Sequence, residues 1–504
     1  MPYVVSPEAM RRYDARCISR EKITSYALME RAGTRLADAL VSKPWFAARE
    51  AAQILIVCGP GNNGGDGLVI GRVLALKGYA VTCAVLAAHE ASDDNRNAQQ
   101  ALDATSAKRM HVNEVHELNP LIDKANVLID AVFGIGLDRA PTGLYAEAIH
   151  AINQRDATRI AIDIPSGLHG DTGVAFDPCI KADYTLVVEA LKRGNLMHDA
   201  LDVSGLIDVV DVGIDCSGAS ESFTRANALH GAIPLRPHHS HKYQHGVVQI
   251  IGGSYDMPGA PALAAHAAYA AGAGLVIVST SRPVRDMLRN VPAEAIFATI
   301  PDNGIPSIER ADAFVIGPGL LASPSARATL RATLQHDAPT VVDGGALAMF
   351  IEGVQEKANK PVVLTPHAGE MAMLSGVDSD AFRQDWYRFA REVAEEHRVH
   401  VLYKGPCSVL IGPDGSARYM LAGNPGLAKA GSGDVLAGIL GVFLAQGYAI
   451  DKAVGLAVYV HGMAADVSAA SRGEASVMAS DVIAALPEAI KLFSKDATRP
   501  ANFL

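Results

Sequence analysis

Residues Ile54–Gly67 read ILIVCGPGNNGGDG: a short apolar run, a glycine-rich turn, and then a stretch with Val69, Val73 and Leu76 on one stripe, stopped by Gly78. The order is strand, glycine loop, helix start. Free N–H groups and the positive end of the helix dipole then point at whatever sits over the turn, which makes an anion site. Glycines let a ligand come close to the backbone. The turn has neither the G-K-[ST] of a P-loop nor the G-x-G-x-x-G spacing of a dinucleotide fingerprint.

The same alternation continues outward. Strands are expected at Val81–Leu86, Val127–Asp130, Arg159–Ile164, Tyr184–Val188 and Ile207–Val212, and again at Val247–Ile251, Leu275–Thr280, Ala313–Ile316, Thr340–Asp343, Val362–Thr365, His400–Tyr403 and Ser408–Ile411. Most are apolar without alternation, as strands covered on both faces of a parallel sheet must be. Intervening helices imply βαβ units, so the fold class is α/β. The pattern lapses among Ser, Gly, Pro and His between Gly213 and Gln244. This predicts a domain at 1–216, a linker at 217–238 and a second domain at 239–504.

The 504 residues, 49% hydrophobic and 19% charged, suffice for two large cores without a disulfide or metal staple. A net charge of −10 argues against a nucleic-acid binder while leaving room for a local phosphate pocket. The six cysteines form no C-x-x-C pair, which points to free thiols in a reducing compartment. The opening MPYVVSPEAMRRYDARC has no apolar signal-peptide core. Met257–Ser281 carries no formal charge, but its Ala/Gly/Pro content and terminal GLVIVST read as a buried helix and a strand rather than a membrane span.

Asn62, Asn63 and Asp66 put polar groups into the first glycine turn, where packing needs none. Asp130 (LIDAVFGIGLDR) and Asp163 (AIDIPSG) end two further strands. Ligands of open α/β sheets sit at the carboxyl ends of strands, so three polar loops meet there; turn or helix capping is the competing role for each Asp. GPGNNGGDGLV, the D-x-x-F-G-x-G loop, D-I-P-S-G and the early SYALMERAG together resemble the NAD(P)H-hydrate epimerase domain over about residues 1–215. The resemblance implies a Rossmann-like doubly wound fold that binds hydrated NAD(P)H. Its binding residues would be Asn62, Asn63, Gly64, Gly65, Asp66, Gly134, Ile135, Gly136, Leu137, Asp138, Arg139, Ala140 and Asp163. It also implies a potassium ion on Asn63, Asp130 and Ser166, which are hard oxygen donors. Asp163 would be the catalytic proton-transfer group at carbon six of the nicotinamide ring.

The second glycine loop is GNPGLAKAGSGDVLAG, Gly423–Gly438. The helix after it, Val435 to about Gln446, is apolar nearly all round and stops at Gly447, so it is central. Gly431, Ser432 and Gly433 would form an anion hole at its start. Asp434, just inside, suits a base that strips a hydroxyl proton before attack on phosphorus. First-turn pairing with the helix dipole is its bland role. With VIGPGL (Val315–Leu320), LTPHAGEMAML (Leu364–Leu374), YKGPCSVLIGPDG (Tyr403–Gly415) and HKYQHGVVQIIGGS (His241–Ser254), the segment resembles the ribokinase-like fold. More narrowly it resembles the ADP/ATP-dependent NAD(P)H-hydrate dehydratase, over about residues 230–490. That resemblance implies hydrate contacts from Ala260, Gly319, His367 and Asp434. It implies adenine-nucleotide contacts from Lys404, Gly405, Pro406, Cys407, Ser408 and Gly433, with Asp434 as catalytic base. Lys242 matches a position expected to face phosphate. Where the family has K-G-G-[ST]-G-D, this chain has Ala430 in place of a glycine. The run RPHHSHKYQH reads as a loop, since no Cys or carboxylate completes a metal set.

The two resemblances imply one repair activity: epimerising R and S hydrates of NADH or NADPH, then dehydrating the S form with ADP or ATP. They imply K+ in the first domain and Mg2+ with the nucleotide in the second. Small nucleotides are the expected partners, with no nucleic acid and no membrane, in a cytoplasmic homo-oligomer. A ribokinase-type small-molecule kinase with an accessory nucleotide domain, or a non-catalytic nucleotide-binding scaffold, would fit the same residues.

Overall fold

Seven short runs of the first half become strands: β1 (Gln53–Cys58), β2 (Ala80–Leu86), β3 (Lys108–Val112), β4 (Val127–Ala131), β5 (Thr158–Ile162), β6 (Tyr184–Val188) and β7 (Leu206–Val210). The computed structural model describes residues 2–47, 52–86, 89–288, 290–301, 310–352 and 360–495. They fall into two units, Pro2–Glu221 and Ser222–Leu504.

In the first unit the order is β3-β2-β1-β4-β5-β6-β7, every pair parallel. The order reverses between β1 and β4. A ligand crevice opens at such a switch point because the connecting helices diverge to opposite faces. The strand period decides what each face buries. Ile54, Ile56 and Cys58 pack with Leu36, Leu40 and Val69. Leu55 and Val57 pack on the other face with Leu118, Ala148 and Ile149. The polar edge strand β3, KRMHV, has no apolar run to announce it and is mostly solvent-facing.

The second unit carries β8 (Val247–Ile251), β9 (Leu275–Thr280), β10 (Ile296–Thr299), β11 (Ala313–Ile316), β12 (Thr340–Val342), β13 (Val362–Leu364), β14 (His400–Tyr403), β15 (Cys407–Ile411) and β16 (Ala417–Leu421). Their order is β10-β9-β8-β11-β12-β13-β14-β15-β16. Pairs are parallel as far as β14, and the last two are antiparallel. The helix Ser432–Ala445 buries Val435–Leu444 in the core beside this sheet. Residues 222–238 belong to this unit, with Leu229 against its core and Ile233 bridged to Ser494.

The uncharged stretch 257–281 splits into the helix Gly259–Ala270 and strand β9. A different helix, Ile450–Arg472, is long and apolar enough to cross a membrane, and 72% of its apolar window is buried inside the protein. All six cysteines are free thiols.

Candidate functional site

The first glycine turn folds more tightly than its sequence suggests. The helix begins at Asn62, inside the turn, and no side chain caps it at Gly61. Its first N–H groups therefore lack the usual cap oxygen and meet the cavity beyond. A Cβ on Gly64 would lie 1.9 Å from the Gly59 carbonyl oxygen, so only glycine permits this fold-back. The stripe read on this helix holds for Val69 and Val73, but Leu76 is 66% exposed, because the helix ends there at the surface.

A cavity of about 550 Å³ opens over this turn. Pro60–Asn63 and Asp66 line one part, Val132–Thr142 another, and Asp163, Val188 and Lys192 a third. Met10, Arg11 and Asp14 of the helix Pro7–Glu21 complete it. The first-unit residues Asn62, Asn63, Asp66, Gly134–Ala140 and Asp163 are thus brought to one wall system; Gly64 and Gly65 lie buried just behind it.

Three residues outside the sequence motifs hold this site. Asn95, fully buried, donates through Nδ2 to the carbonyls of Gly59 (3.0 Å) and Gly61 (2.9 Å) and so clamps the turn. Lys192, also fully buried, donates to Asp163 Oδ1 at 2.5 Å and to the Val188 carbonyl at 2.9 Å. Asp14 joins from the N-terminal helix, and burial lifts its carboxyl to about 6 despite the nearby Lys192 charge. Asp163 sits at φ +67, a strained value for a non-glycine residue. It is held there by a backbone N–H bond to Leu186 and by Asn195 donating to its carbonyl. Burial raises Asp66 well above the usual carboxylate range, with the charges of Asp163 and Asp14 adding to the effect.

Asp130 is buried at the end of β4. Its oxygens accept from the Ser166 hydroxyl (2.6 Å), the Ser166 N–H (2.7 Å) and the Val132 N–H (3.2 Å). Burial still lifts it to about 6. Asn63 Nδ2 donates to the Phe133 carbonyl, which the Ser166 hydroxyl also reaches. Asn63, Asp130 and Ser166 therefore converge on Phe133. The Asp130 carboxylate, the Ser166 hydroxyl and the Phe133 carbonyl stand close together there, hard oxygen donors that suit a monovalent cation, while Asn63 turns its amide nitrogen to the carbonyl.

In the second unit Asp434 lies in the first turn of the helix Ser432–Ala445, after Gly431 in the left-handed region (φ +89). Gly431 takes the one position that demands positive φ. Ala430 is not among the positive-φ residues, so the loss of the family glycine there carries no backbone strain. Burial raises Asp434 to about 7; Asp343 and Glu370 push the same way, and Lys404 opposes them. Lys404 follows β14 and donates to Asp343 Oδ1 at 2.8 Å, with Glu370 at 4.0 Å. Burial disfavours its charge, yet Asp343, Glu370 and Asp434 hold its pKa above the ordinary value. A Cβ on Gly433 would lie 3.1 Å from Lys404 Nζ, so lysine and glycine turn adjoin.

Gly319 (φ +64) places its Cβ direction 3.0 Å from Ala260, which unites two residues expected to meet the hydrate. His367 caps the helix Ala368–Leu374: its Nδ1 accepts from the N–H groups of Gly369 and Glu370, and the ring is otherwise open to solvent. Lys404, Gly405 and Pro406 form the turn between β14 and β15, whereas Cys407 and Ser408 already belong to β15 and are buried. Asp343 and His461 carried no motif. His461 is buried behind the turn, 3.4 Å from the Ser432 hydroxyl, and burial lowers it to about 4, so it is neutral.

One expectation is corrected. Lys242 precedes β8, and its carbonyl touches Gly274, which precedes β9. It therefore lies where the parallel strands begin, opposite the edge where Asp343 and Lys404 follow their strands, and does not face the Asp434 turn of its own chain.

Two family models match the chain: YjeF-related protein N-terminus over residues 25–194, and NAD(P)H-hydrate dehydratase over residues 248–488. The bifunctional NAD(P)H-hydrate repair enzyme Nnr of Moorella thermoacetica is 34% identical over 514 residues, covering 97% of each chain. The Coxiella burnetii protein of that name is 35% identical, covering 91% of this chain and 94% of its own. Among solved structures, the ADP/ATP-dependent NAD(P)H-hydrate dehydratase of Bacillus subtilis co-crystallized with ATP/Mg2+ is 31% identical. That match covers 52% of this chain and 95% of the other, with TM-score 0.48.

Proposed function

The chain belongs to the family of bifunctional NAD(P)H-hydrate repair enzymes, and from that premise we propose how its two sites divide the work. The enzyme interconverts R and S hydrates of NADH and NADPH and dehydrates the S form at the expense of a nucleotide. The epimerase site is the cavity over Asn62–Asp66 and Gly134–Ala140, with Asp163 as its proton-transfer residue. The dehydratase site is the turn Gly431–Asp434 with Lys404, Gly319, Ala260 and His367.

In the dehydratase, Asp434 takes the proton of the C6 hydroxyl as that oxygen attacks the terminal phosphorus of ADP. AMP leaves. The C6–O bond then breaks with its electron pair on phosphate, and loss of the C5 proton restores the ring double bond. Phosphorylation has turned a poor leaving group into a good one, so positioning and charge stabilisation carry most of the work. N–H groups of Gly431–Gly433 and the Lys404 ammonium meet the charge that builds on the phosphoryl oxygens. ADP rather than ATP as the donor rests on the family's two-domain form. Mg2+ bound with the nucleotide would neutralise phosphate charge, and Asp343 and Glu370 are the carboxylates beside Lys404 that could meet its waters. In the epimerase, Asn63, Asp130 and Ser166 would hold K+, which would supply a positive charge beside the loop that carries Phe133 and Gly134. A homo-oligomer in the cytoplasm completes the reading.

The observation that carries the proposal is Asp434: a carboxyl at a helix N-terminus whose proton affinity is raised to about 7, beside a lysine held charged. A general base works best with a pKa near the operating pH. The test is stoichiometry. Purified chain, S-hydrate, Mg2+ and ADP should give NADH, AMP and inorganic phosphate in equal amounts. A stable phosphorylated product without NADH would convert the reading to a kinase.

A further inference from the structure

Epimerisation moves a hydroxyl from one face of C6 to the other. C6 also bears the ring nitrogen N1, and no carbonyl adjoins it, so its C–H is not acidic. Two routes remain, opening of the N1–C6 bond to an aldehyde or breaking of the C6–O bond; we take the second, in which the N1 lone pair fills the vacancy. That route needs a proton donor for the departing oxygen and an acceptor for the returning water.

The cavity holds both. Asp14, Asp66 and Asp163 share it with one buried ammonium, Lys192, and Arg11, His89, Asp138 and Arg139 also line it. Asp163 receives both its side-chain hydrogen bonds on Oδ1, from Lys192 and from the Val188 N–H. Oδ2 has no protein partner among the described residues, and neither does the carboxyl of Asp66. Asp66 and Asp163 share the recess with that lysine, and the lysine bonds Asp163 rather than Asp66. We propose that Asp66 is the general acid of the epimerisation and that Asp163, through Oδ2, is its partner base. The inference rests on the epimerase reading above and deepens it. It is supported by burial of Asp66, with Asp163, Asp14 and Asp94 adding to the rise that Lys192 opposes. A carboxyl kept from its anion by burial, beside one hydrogen-bonded to an ammonium, is the arrangement of an acid facing a base.

The step balances. Asp66 gives its proton to the C6 hydroxyl; the C6–O electron pair leaves with water, and the N1 lone pair becomes the N1=C6 bond. The anion of Asp163 faces the cation so formed. Water adds to the opposite face, the N1=C6 pair returns to N1, and the water proton passes to Asp163 Oδ2. One proton then returns from Asp163 to Asp66 through solvent.

The experiment uses the full chain, purified R-hydrate of NADH and no ADP, with epimers separated by chromatography. In H2(18)O, wild type should place 18-oxygen on C6 at the rate of R-to-S conversion; in D2O it should place no deuterium there. Asp66→Asn should slow conversion by about a hundredfold or more, while Asp66→Glu recovers part of it. Both variants should keep wild-type dehydration of S-hydrate with ADP and the wild-type urea transition of Trp45 fluorescence, which reads the folding of the first unit. Deuterium at C6, or Asp66→Asn within tenfold of wild type, overturns the proposal. Wild type that leaves R-hydrate untouched overturns the epimerase reading itself.

Discussion

Asp434→Asn should make the second unit more stable above neutral pH while abolishing dehydration. The wild-type carboxyl is raised from 3.8 to about 7 by folding, chiefly by burial. A group whose folded pKa lies above its unfolded one disfavours the folded state wherever it is ionised. That penalty is complete above about pH 7, shrinks as pH falls and vanishes near the unfolded value. That rise corresponds to a ceiling of about 4 kcal/mol. Asp434 is only half-buried, and Lys404 lies near, so about 1–2 kcal/mol is the figure after screening. The chain has two tryptophans, Trp45 in the first unit and the fully buried Trp386 in the second. Urea unfolding followed by Trp386 fluorescence in a Trp45→Phe background reads the second unit alone. Asp434→Asn should gain that stability at pH 8 and lose the gain towards pH 5. Dehydration at saturating ADP should fall by about a hundredfold or more. A variant less stable than wild type at pH 8, or a difference that ignores pH, would refute the reasoning.

Lys404→Met removes the cation that lowers Asp434, so the pH profile of dehydration should move to higher pH; the same change strands the buried Asp343, at about 3 kcal/mol, read as a lower Tm of the second unit. Gly431→Ala forces a side chain to φ +89 with Leu263 Cδ1 at 2.6 Å, and should cut kcat of dehydration without touching epimerisation. Asn95→Ala frees the carbonyls of Gly59 and Gly61, at about 1–3 kcal/mol, and should raise KM for the hydrate in the epimerase assay.

The parallel strands were legible because each is a short apolar run between turns, covered on both faces. Edge strand β3 was not, since KRMHV faces solvent and needs no apolar pattern, and β10 is only the four residues IFAT, too short a run to stand out. The first glycine turn and the strand-end Asp163 announced part of the lining of the cavity in the first unit. The residues that tune those sites did not. Lys192, Asn95, Asp343 and His461 are single residues on other elements, brought in by the fold, and no spacing distinguishes them. Lys192 left one faint sign, a lysine directly after the apolar run YTLVVEAL, where a fully buried cation demands a partner. Leu76 misled for the converse reason: periodicity marks a stripe, but the helix end decides whether its last residue is covered.

The sharpest trial is one incubation of the full chain with a mixture of R and S hydrates, K+ and Mg2+, sampled before and after ADP is added. Before ADP the two epimers should relax to a fixed ratio with no NADH formed; after it, both should vanish into NADH. A residue of R-hydrate equal to its starting share, or NADH formed without ADP, would contradict the account.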